Sequence, residues 1–404
     1  MQFERAGRHT INYKTRYGFK SSYYTFVPTP ICDIDIKPDE ELLELLANAH
    51  RHIGLLDGAC QYVGNVENIT NLFLKKEATA SCNIDDEHKF SALDLLVPTK
   101  YHAEKMQPVH NYTNALEYGI NEMKMKRILP ANNVIYDTHK ILMVHKQGSE
   151  KTGAVRRKQT IIGDIMVTPG YNPPNPETVG SCMADIQRFV KRVDTIDPLI
   201  KNALLHYQLE VVHPFESGNG KIGRILILMY LFNSNMLTHT ILPLSEFFEA
   251  NKVEYFDRIK AVHNRGHYEQ WVKFFLSMLA ISAETSVQRI EKIIQLRNKN
   301  LIRIKAAEKD TKYLFNAYQY TEKNIFLDVT SLSNSIGISY NTAARVVRAM
   351  VEYGILKLLK KQARNRTYYY AGLLEVFGFS QLNTPEPNKN LGRERVVHIG
   401  KSEH

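Results

Sequence analysis

Two strongly apolar segments stand back to back in this chain with only a short polar loop between them, and any fold must bury both. Pro198 to Val212 places Leu199, Ile200, Leu204, Leu205, Leu209 and Val212 at helical spacing. Ile225 to Phe232 is apolar on nearly every side, the pattern of a helix enclosed all round. Both segments are therefore expected to be core helices, with the loop opening the second. Residues 213 to 224 read His-Pro-Phe-Glu-Ser-Gly-Asn-Gly-Lys-Ile-Gly-Arg. An imidazole, a glycine-rich turn and two cations are thus gathered where one core helix ends and the next begins.

This combination suits a phosphate group. Gly218 and Gly220 can take positive φ at little cost and let another group approach the backbone. Successive N–H groups in such a turn, at a helix N-terminus, form an anion-binding nest. Lys221 adds a point charge, and Arg224 can fork onto two phosphate oxygens. His213 has an ordinary pKa of about 6.5, so its neutral form is available as a base. A base beside a phosphate cradle points to deprotonation of a hydroxyl that then attacks phosphorus. Phe215, apolar in a polar loop, is expected to plug the loop into the core. Singly, each feature has a plainer account as a cap, a turn or a solvated cation; order and spacing together favour the site. A P-loop is excluded, since it needs four residues between its glycines, Ser or Thr after the Lys, and a preceding strand.

The segment resembles the Fic family signature, His-Pro-Phe-x-(Asp/Glu)-Gly-Asn-Gly-Arg-x-x-Arg. The resemblance implies transfer of AMP from ATP to a Ser, Thr or Tyr hydroxyl of a target protein. It makes His213 the general base and Gly218, Asn219 and Gly220 the phosphate-binding turn. Lys221 and Arg224 become the two cations, with Arg224 meeting the terminal phosphate of ATP. Two positions depart from the pattern. Ser217 stands at the family's metal-binding acid, and Glu216 is a carboxylate one residue early. Mg²⁺ on a nucleotide normally has one or two carboxylates beside the phosphates. Lys221 replaces the first arginine, keeping the charge and losing the fork. ATP is therefore the expected substrate, with Mg²⁺ at Ser217 or Glu216. The alternatives on the same fold are transfer of another phosphate moiety, or removal of AMP from a modified target.

The resemblance extends along the chain. Leu74 to Leu96 is similar to the family's inhibitory helix, (Ser/Thr)-x-x-x-Glu-(Gly/Asn), with Ser81 matching and Asp85 and Asp86 in place of the Glu and the small residue. Asp85 is one methylene shorter than Glu, so a weakened brake on Arg224 is expected; an ordinary acidic helix face is the alternative. In residues 160–174, Thr160–Ile162 and Ile165–Thr168 flank Gly163-Asp164, a hairpin signal. In the family this region is a flap that holds the target by adding a strand, which reads the target's backbone. Asn251 to Phe256 resembles the segment lining the base pocket. There Tyr255 would stack on adenine and Asn251 would bond near it, or Tyr255 is a core aromatic. Trp271 is expected to be a core anchor.

The expected fold class is mainly α: a Fic-type helical core with a β-hairpin flap and a C-terminal winged helix-turn-helix. Residues 1–96 would hold an extended arm to about 35 and a helical region, 97–285 the catalytic core, 286–325 a helical connector, 326–379 the winged module and 380–404 a disordered tail. In the module, a helix from Thr330 to Ile336, a turn at Gly337-Ile338-Ser339, a helix from Tyr340 to Tyr353 and a hairpin follow in order. Arg345, Arg348, Lys360, Lys361, Arg364 and Arg366 would face DNA phosphates across 340–366. The net charge of +10 points the same way. Docking to protein, or pairing into a homodimer, is the other use of such a module. A DNA-binding regulator that senses nucleotide without turnover is the rival of a different class.

The 44% of hydrophobic residues rules out wholesale disorder. Cys32, Cys60, Cys82 and Cys182 have neither metal-ligand spacing nor disulfide logic. No apolar run spans a bilayer, and Met1 to Thr10 lacks a signal-peptide profile, so a soluble, cytoplasmic protein is expected.

Overall fold

The two apolar segments fold as a helical hairpin in the first of two units, residues 1–295 and 296–404. The computed structural model describes residues 3–16, 19–86, 89–91, 105–126, 129, 131–144, 152–161, 172–307, 311–359 and 366–379. Unit one opens with an antiparallel ribbon of β1 (Gly7–Arg16) and β2 (Phe19–Pro28). Helices α1 (Glu40–Ala59), α2 (Val66–Asp85), α3 (Gln107–Lys126), α4 (Asn132–Leu142) and α5 (Pro176–Lys191) follow. The hairpin is α6 (Pro198–Val212) and α7 (Asn219–Asn233). After it come α8 (Leu244–Ala250), α9 (Lys252–Arg265) and α10 (Tyr268–Lys305), which continues into unit two.

Local chemistry fixes the hairpin's ends. Asp197 caps α6, accepting the Leu199 N–H at 2.8 Å, and Pro198 takes the first helical position, where no N–H is needed. His213 ends α6 in the left-handed region (φ 49°, ψ 60°), its N–H donating to the Leu209 carbonyl at 3.0 Å. Gly218 (φ 78°) starts α7. Leu199 to Leu209 and Ile222 to Phe232 are buried without exception. Around α7 pack α2, α3, α4 and α6, and α5 packs on α6. Trp271 is fully buried and donates its indole N–H to the Ala203 carbonyl at 2.8 Å, so it anchors α10 to α6.

A buried carboxylate places α2. Glu77 accepts from the Tyr112 hydroxyl at 2.8 Å, from the Ser245 N–H at 2.7 Å and from the Ser245 hydroxyl, tying α2 to α3 and α8. Glu77, Ser81 and Asp85 follow at intervals of four, so they share one helix face.

The expected extended arm is a ribbon. A glycine at position 18 between two runs rich in Thr, Tyr and Phe was the available signal. The flap hairpin expected at Thr160–Thr168 lies largely outside the described residues, as do the tail 380–404 and the tip cations Lys360, Lys361 and Arg364.

Unit two holds α11 (Thr311–Lys323), β3 (Phe326–Asp328), α12 (Val329–Ile336), α13 (Tyr340–Glu352), β4 (Leu356–Leu358), β5 (Thr367–Tyr370) and α14 (Ala371–Val376). Its sheet order is β3-β5-β4, all antiparallel. Asp328 and Ser331 form a capping box on α12, Gly337 (φ 69°) ends that helix, and Ser339 caps α13. The connector expected at 286–325 contains the end of α10 and α11. No helix among the described residues is long and apolar enough to cross a membrane.

Candidate active site

The loop between α6 and α7 is held by its own side chains and by three neighbours. Phe215 is fully buried, so it is the plug the sequence implied. It stacks flat on His139 of α4, with centroids 3.7 Å apart and planes 6° apart. The Gly153 N–H donates to His139 Nδ1 at 3.0 Å, so the ring proton lies on Nε2, which donates to the Ser217 carbonyl at 2.9 Å. Asn219 is buried too. Its Oδ1 accepts the Phe215 N–H and its Nδ2 donates to the Phe215 carbonyl, both at 2.9 Å. The Asn219 side chain is therefore spent on shaping the loop, and only its backbone can meet a phosphate.

Arg156 clamps the other side. It is 2% exposed; its Nε donates to the His213 carbonyl at 2.8 Å and its backbone N–H to the Pro214 carbonyl at 2.8 Å. The rest of its guanidinium reaches the carbonyls of Lys158 and Pro174. A left-handed non-glycine residue costs about 1–3 kcal/mol, and these bonds hold His213 in that state. Burial pushes the His213 imidazole down to about 4, while the Glu210 carbonyl acts the other way. The ring is neutral at neutral pH, the state a base requires.

Both loop cations are already paired with the end of α2. Arg224 is 1% exposed. Its Nη2 donates to Asp85 Oδ2 at 2.7 Å and to the Ser81 carbonyl at 2.9 Å, and its Nε to the Ser81 hydroxyl at 2.8 Å. Burial works against the Arg224 charge, yet Asp85 and nearby oxygens lift its pKa well above the ordinary value. Lys221 Nζ donates to Asp86 Oδ2 at 2.7 Å. The expectation of a weakened brake rested on Asp85 being short; the contact forms all the same, because the end of α2 comes close enough. A Cβ on Gly220 would stand 2.9 Å from both Asp85 oxygens, so the carboxylate rests directly on the turn. An anion thus occupies the place where the turn and Arg224 converge.

Glu210, half-buried beside this group, was missed by the sequence. Burial lifts its carboxyl to about 7, with Arg224 pulling the other way, and among the described residues its Oε1 has no hydrogen-bond partner.

Tyr255 requires a correction. It is fully buried, its hydroxyl 2.7 Å from His206 Nε2, and its ring stacks on Phe248 at 4.7 Å. No face is left for adenine, so Tyr255 is the core aromatic of the two alternatives. Asn251 lies beside an open cleft lined by Lys252, Glu254, Asp257 and Arg258, and its Nδ2 donates to the Phe247 carbonyl at 2.9 Å.

The residues expected to hold Mg²⁺ do not make a dedicated site. Ser217 offers a neutral hydroxyl, Glu216 is exposed, and no group of three His, Cys, Asp or Glu among the described residues is placed to hold a metal. An ion here would take its ligands mainly from phosphate and water.

A model of the Fic/DOC family matches residues 132–231, and a model of the Fic/DOC family N-terminal region matches 43–121. The chain carries a Fic domain. The loop, α6, α7 as far as Leu231 and the residue that stacks on Phe215 all lie within the matched stretch, and α2 with its two acids lies in the N-terminal match. Protein adenylyltransferase fic-1 of Caenorhabditis elegans is 28% identical over 154 residues, which are 38% of this chain and 27% of that protein. A probable protein adenylyltransferase of Aquifex aeolicus is 25% identical over 168 residues, 41% of this chain and 50% of the relative. These matches span 27% to 50% of the relatives' lengths. A crystal structure of a Fic family protein from Desulfovibrio desulfuricans shares the fold, with a TM-score of 0.54 at 16% identity over 83% of this chain and 98% of the other.

If the Asp85 carboxylate stands in for a phosphate, Asp85→Ala leaves the Arg224 charge uncompensated and lowers the melting temperature. Tripolyphosphate should then raise that variant's melting temperature several degrees more than the wild type's. Equal shifts in both would show that the anion binds elsewhere.

Proposed function

We propose that this chain transfers AMP from ATP to a hydroxyl side chain of a target protein. The observation that carries the proposal is the Asp85 carboxylate resting on Gly220 and paired with Arg224: the turn, the helix start and the buried cation already accommodate an anion. The similarity to proteins named adenylyltransferases supports the same chemistry.

The placement of these groups supports the following course. ATP takes the place of Asp85, with its phosphates on the Gly218–Gly220 turn. The target hydroxyl gives its proton to the neutral His213 ring, its oxygen bonds the α-phosphorus, and the bond from that phosphorus to the oxygen bridging to the β-phosphate breaks. Pyrophosphate leaves with the electron pair. Arg224 and Lys221 stabilise phosphate charge as it shifts, the contribution from which phosphoryl chemistry gains most. Arg156 and His139 do not touch the substrate; they hold the base and the loop in position. In the chain as it stands, the end of α2 competes with ATP.

Incubation with ATP labelled in the α-phosphate tests this, using a mixture of cellular proteins as acceptor. Label should pass to protein with wild type, rise with Asp85→Ala and vanish with His213→Ala; equal labelling by wild type and His213→Ala removes His213 as the base. The acid limb of the rate should lie near pH 4 rather than near 6.5, because the ring stays unprotonated down to its lowered pKa. Intact mass separates transfer of AMP from transfer of phosphate, and loss of AMP from a modified protein would favour the reverse reaction.

A second role attaches to unit two. We read α12, the Gly337 turn, α13 and the β4–β5 pair as a winged helix-turn-helix. The specific observation is that α13 buries Ala343, Val346, Val347 and Met350 while Arg345 and Arg348 stay exposed, three residues apart. A salt-dependent shift of duplex DNA that is lost in Arg345→Glu with Arg348→Glu would support DNA binding; no shift at low salt would leave the module to protein docking.

A further inference from the structure

The β1–β2 ribbon is anchored at its root and open farther out. Phe26 is 2% exposed and lies edge-on against His263 of α9 at 4.1 Å, and Thr25 and Ala6 are buried. Beyond them Ile11, Tyr13 and Tyr24 are 51%, 66% and 58% exposed. Ile11 stands opposite Tyr24 in the ladder, and Tyr13 is two residues along, so all three share one face. Large apolar groups grouped on an exposed ribbon signal a partner. The outer edge of β1 is also unused: among the described residues this sheet has only two strands. Alternate residues of this ten-residue strand therefore have backbone donors and acceptors available to another strand.

The other edge leads to the site. The Phe26 N–H donates to the Asn172 carbonyl at 2.9 Å, and Asn172 Nδ2 donates to the Tyr24 carbonyl at 2.8 Å. Asn175 Nδ2 donates to Asn12 Oδ1 at 2.8 Å. Between them, the Pro174 carbonyl accepts from Arg156, which also donates to the His213 carbonyl. A short series of hydrogen bonds thus joins the ribbon to the residue that takes the proton.

Charge says what would lie there. From Gly7 to Pro28 the sequence has Arg8, Lys14, Arg16 and Lys20 and no Asp or Glu. Along β1 the register puts Ile11 and Tyr13 on one face and the exposed Arg8 on the other. A strand added at this edge would meet an apolar row with one set of its side chains and, with the next, a ribbon whose charges are all basic.

We propose that the ribbon docks an extended segment of the target protein in which acidic and apolar residues alternate, paired along the outer edge of β1. The proposal rests on the transfer to protein argued above. A polypeptide fits better than a nucleic acid, because only another strand satisfies a row of backbone donors and acceptors.

The test uses the full chain without ATP, so it does not depend on turnover. A fluorescent peptide of alternating Glu and Val is titrated by anisotropy, beside a block peptide of the same composition, an alternating Lys–Val peptide and a single-stranded oligonucleotide. The alternating acidic peptide should bind best, equally to wild type and to His213→Ala. Ile11→Glu with Tyr24→Glu, and separately Arg8→Glu with Lys14→Glu, should each weaken it about tenfold or more. Ile11, Tyr24 and Arg8 are exposed, and an unchanged melting temperature confirms that each variant folds. Unaltered affinity in both double variants, equal binding of the block peptide, or binding of the oligonucleotide alone would overturn the proposal. Failure of AMP transfer with docking intact would instead count against the catalytic reading.

Discussion

Two helix ends of unfavourable polarity meet at this site, and the arrangement of the loop depends on their meeting. Helix α2 finishes with Asp85 and is capped by Asp86, although the dipole disfavours negative charge at a C-terminus. Helix α7 carries Lys221 in its first turn, where positive charge is disfavoured. Each charge is badly placed in its own helix and well placed across the gap, where Lys221 pairs with Asp86 and Arg224 with Asp85. The buried Arg224 guanidinium needs such a partner, because an unpaired buried charge costs several kcal/mol. On the proposed function, ATP supplies a replacement anion, and occupancy of the site becomes a contest between a carboxylate and a phosphate for the same cation.

The loop itself is stiff. Its left-handed histidine, buried phenylalanine and spent asparagine side chain leave few internal degrees of freedom, and each hydrogen bond that fixes them contributes about 0.5–1.5 kcal/mol. On the proposed function, holding His213 this way means that a proton acceptor does not have to be ordered when substrate arrives. The departures from the Fic signature fall on Ser217 and Lys221 and leave Phe215 and Asn219, which shape the loop, unchanged.

The central hairpin was legible because its apolar spacing and its caps agree: Asp197-Pro198 at the start, glycines at the turn. The pairing of α2 with the loop was legible only through family resemblance. Side-chain length was visible in the sequence, whereas the approach of the helix end was not. Arg156 was not legible at all. It sits in an Arg-Arg-Lys run that has the character of solvated surface charge, and only the fold brings four backbone carbonyls to it. His139 was hidden in the same way, since a histidine on an amphipathic helix gives no hint that a distant phenylalanine will stack on it. Tyr255 fitted two roles equally, and packing against His206 and Phe248 decided between them.

The most direct test is a crystal structure of Asp85→Ala with ATP, compared with the wild type soaked in the same nucleotide. The account predicts the polyphosphate over Gly218–Gly220 with its terminal phosphate on Arg224, and weaker or displaced density in the wild type. Nucleotide bound away from that turn in both, with Arg224 still held by Ser81 alone in the variant, would contradict it.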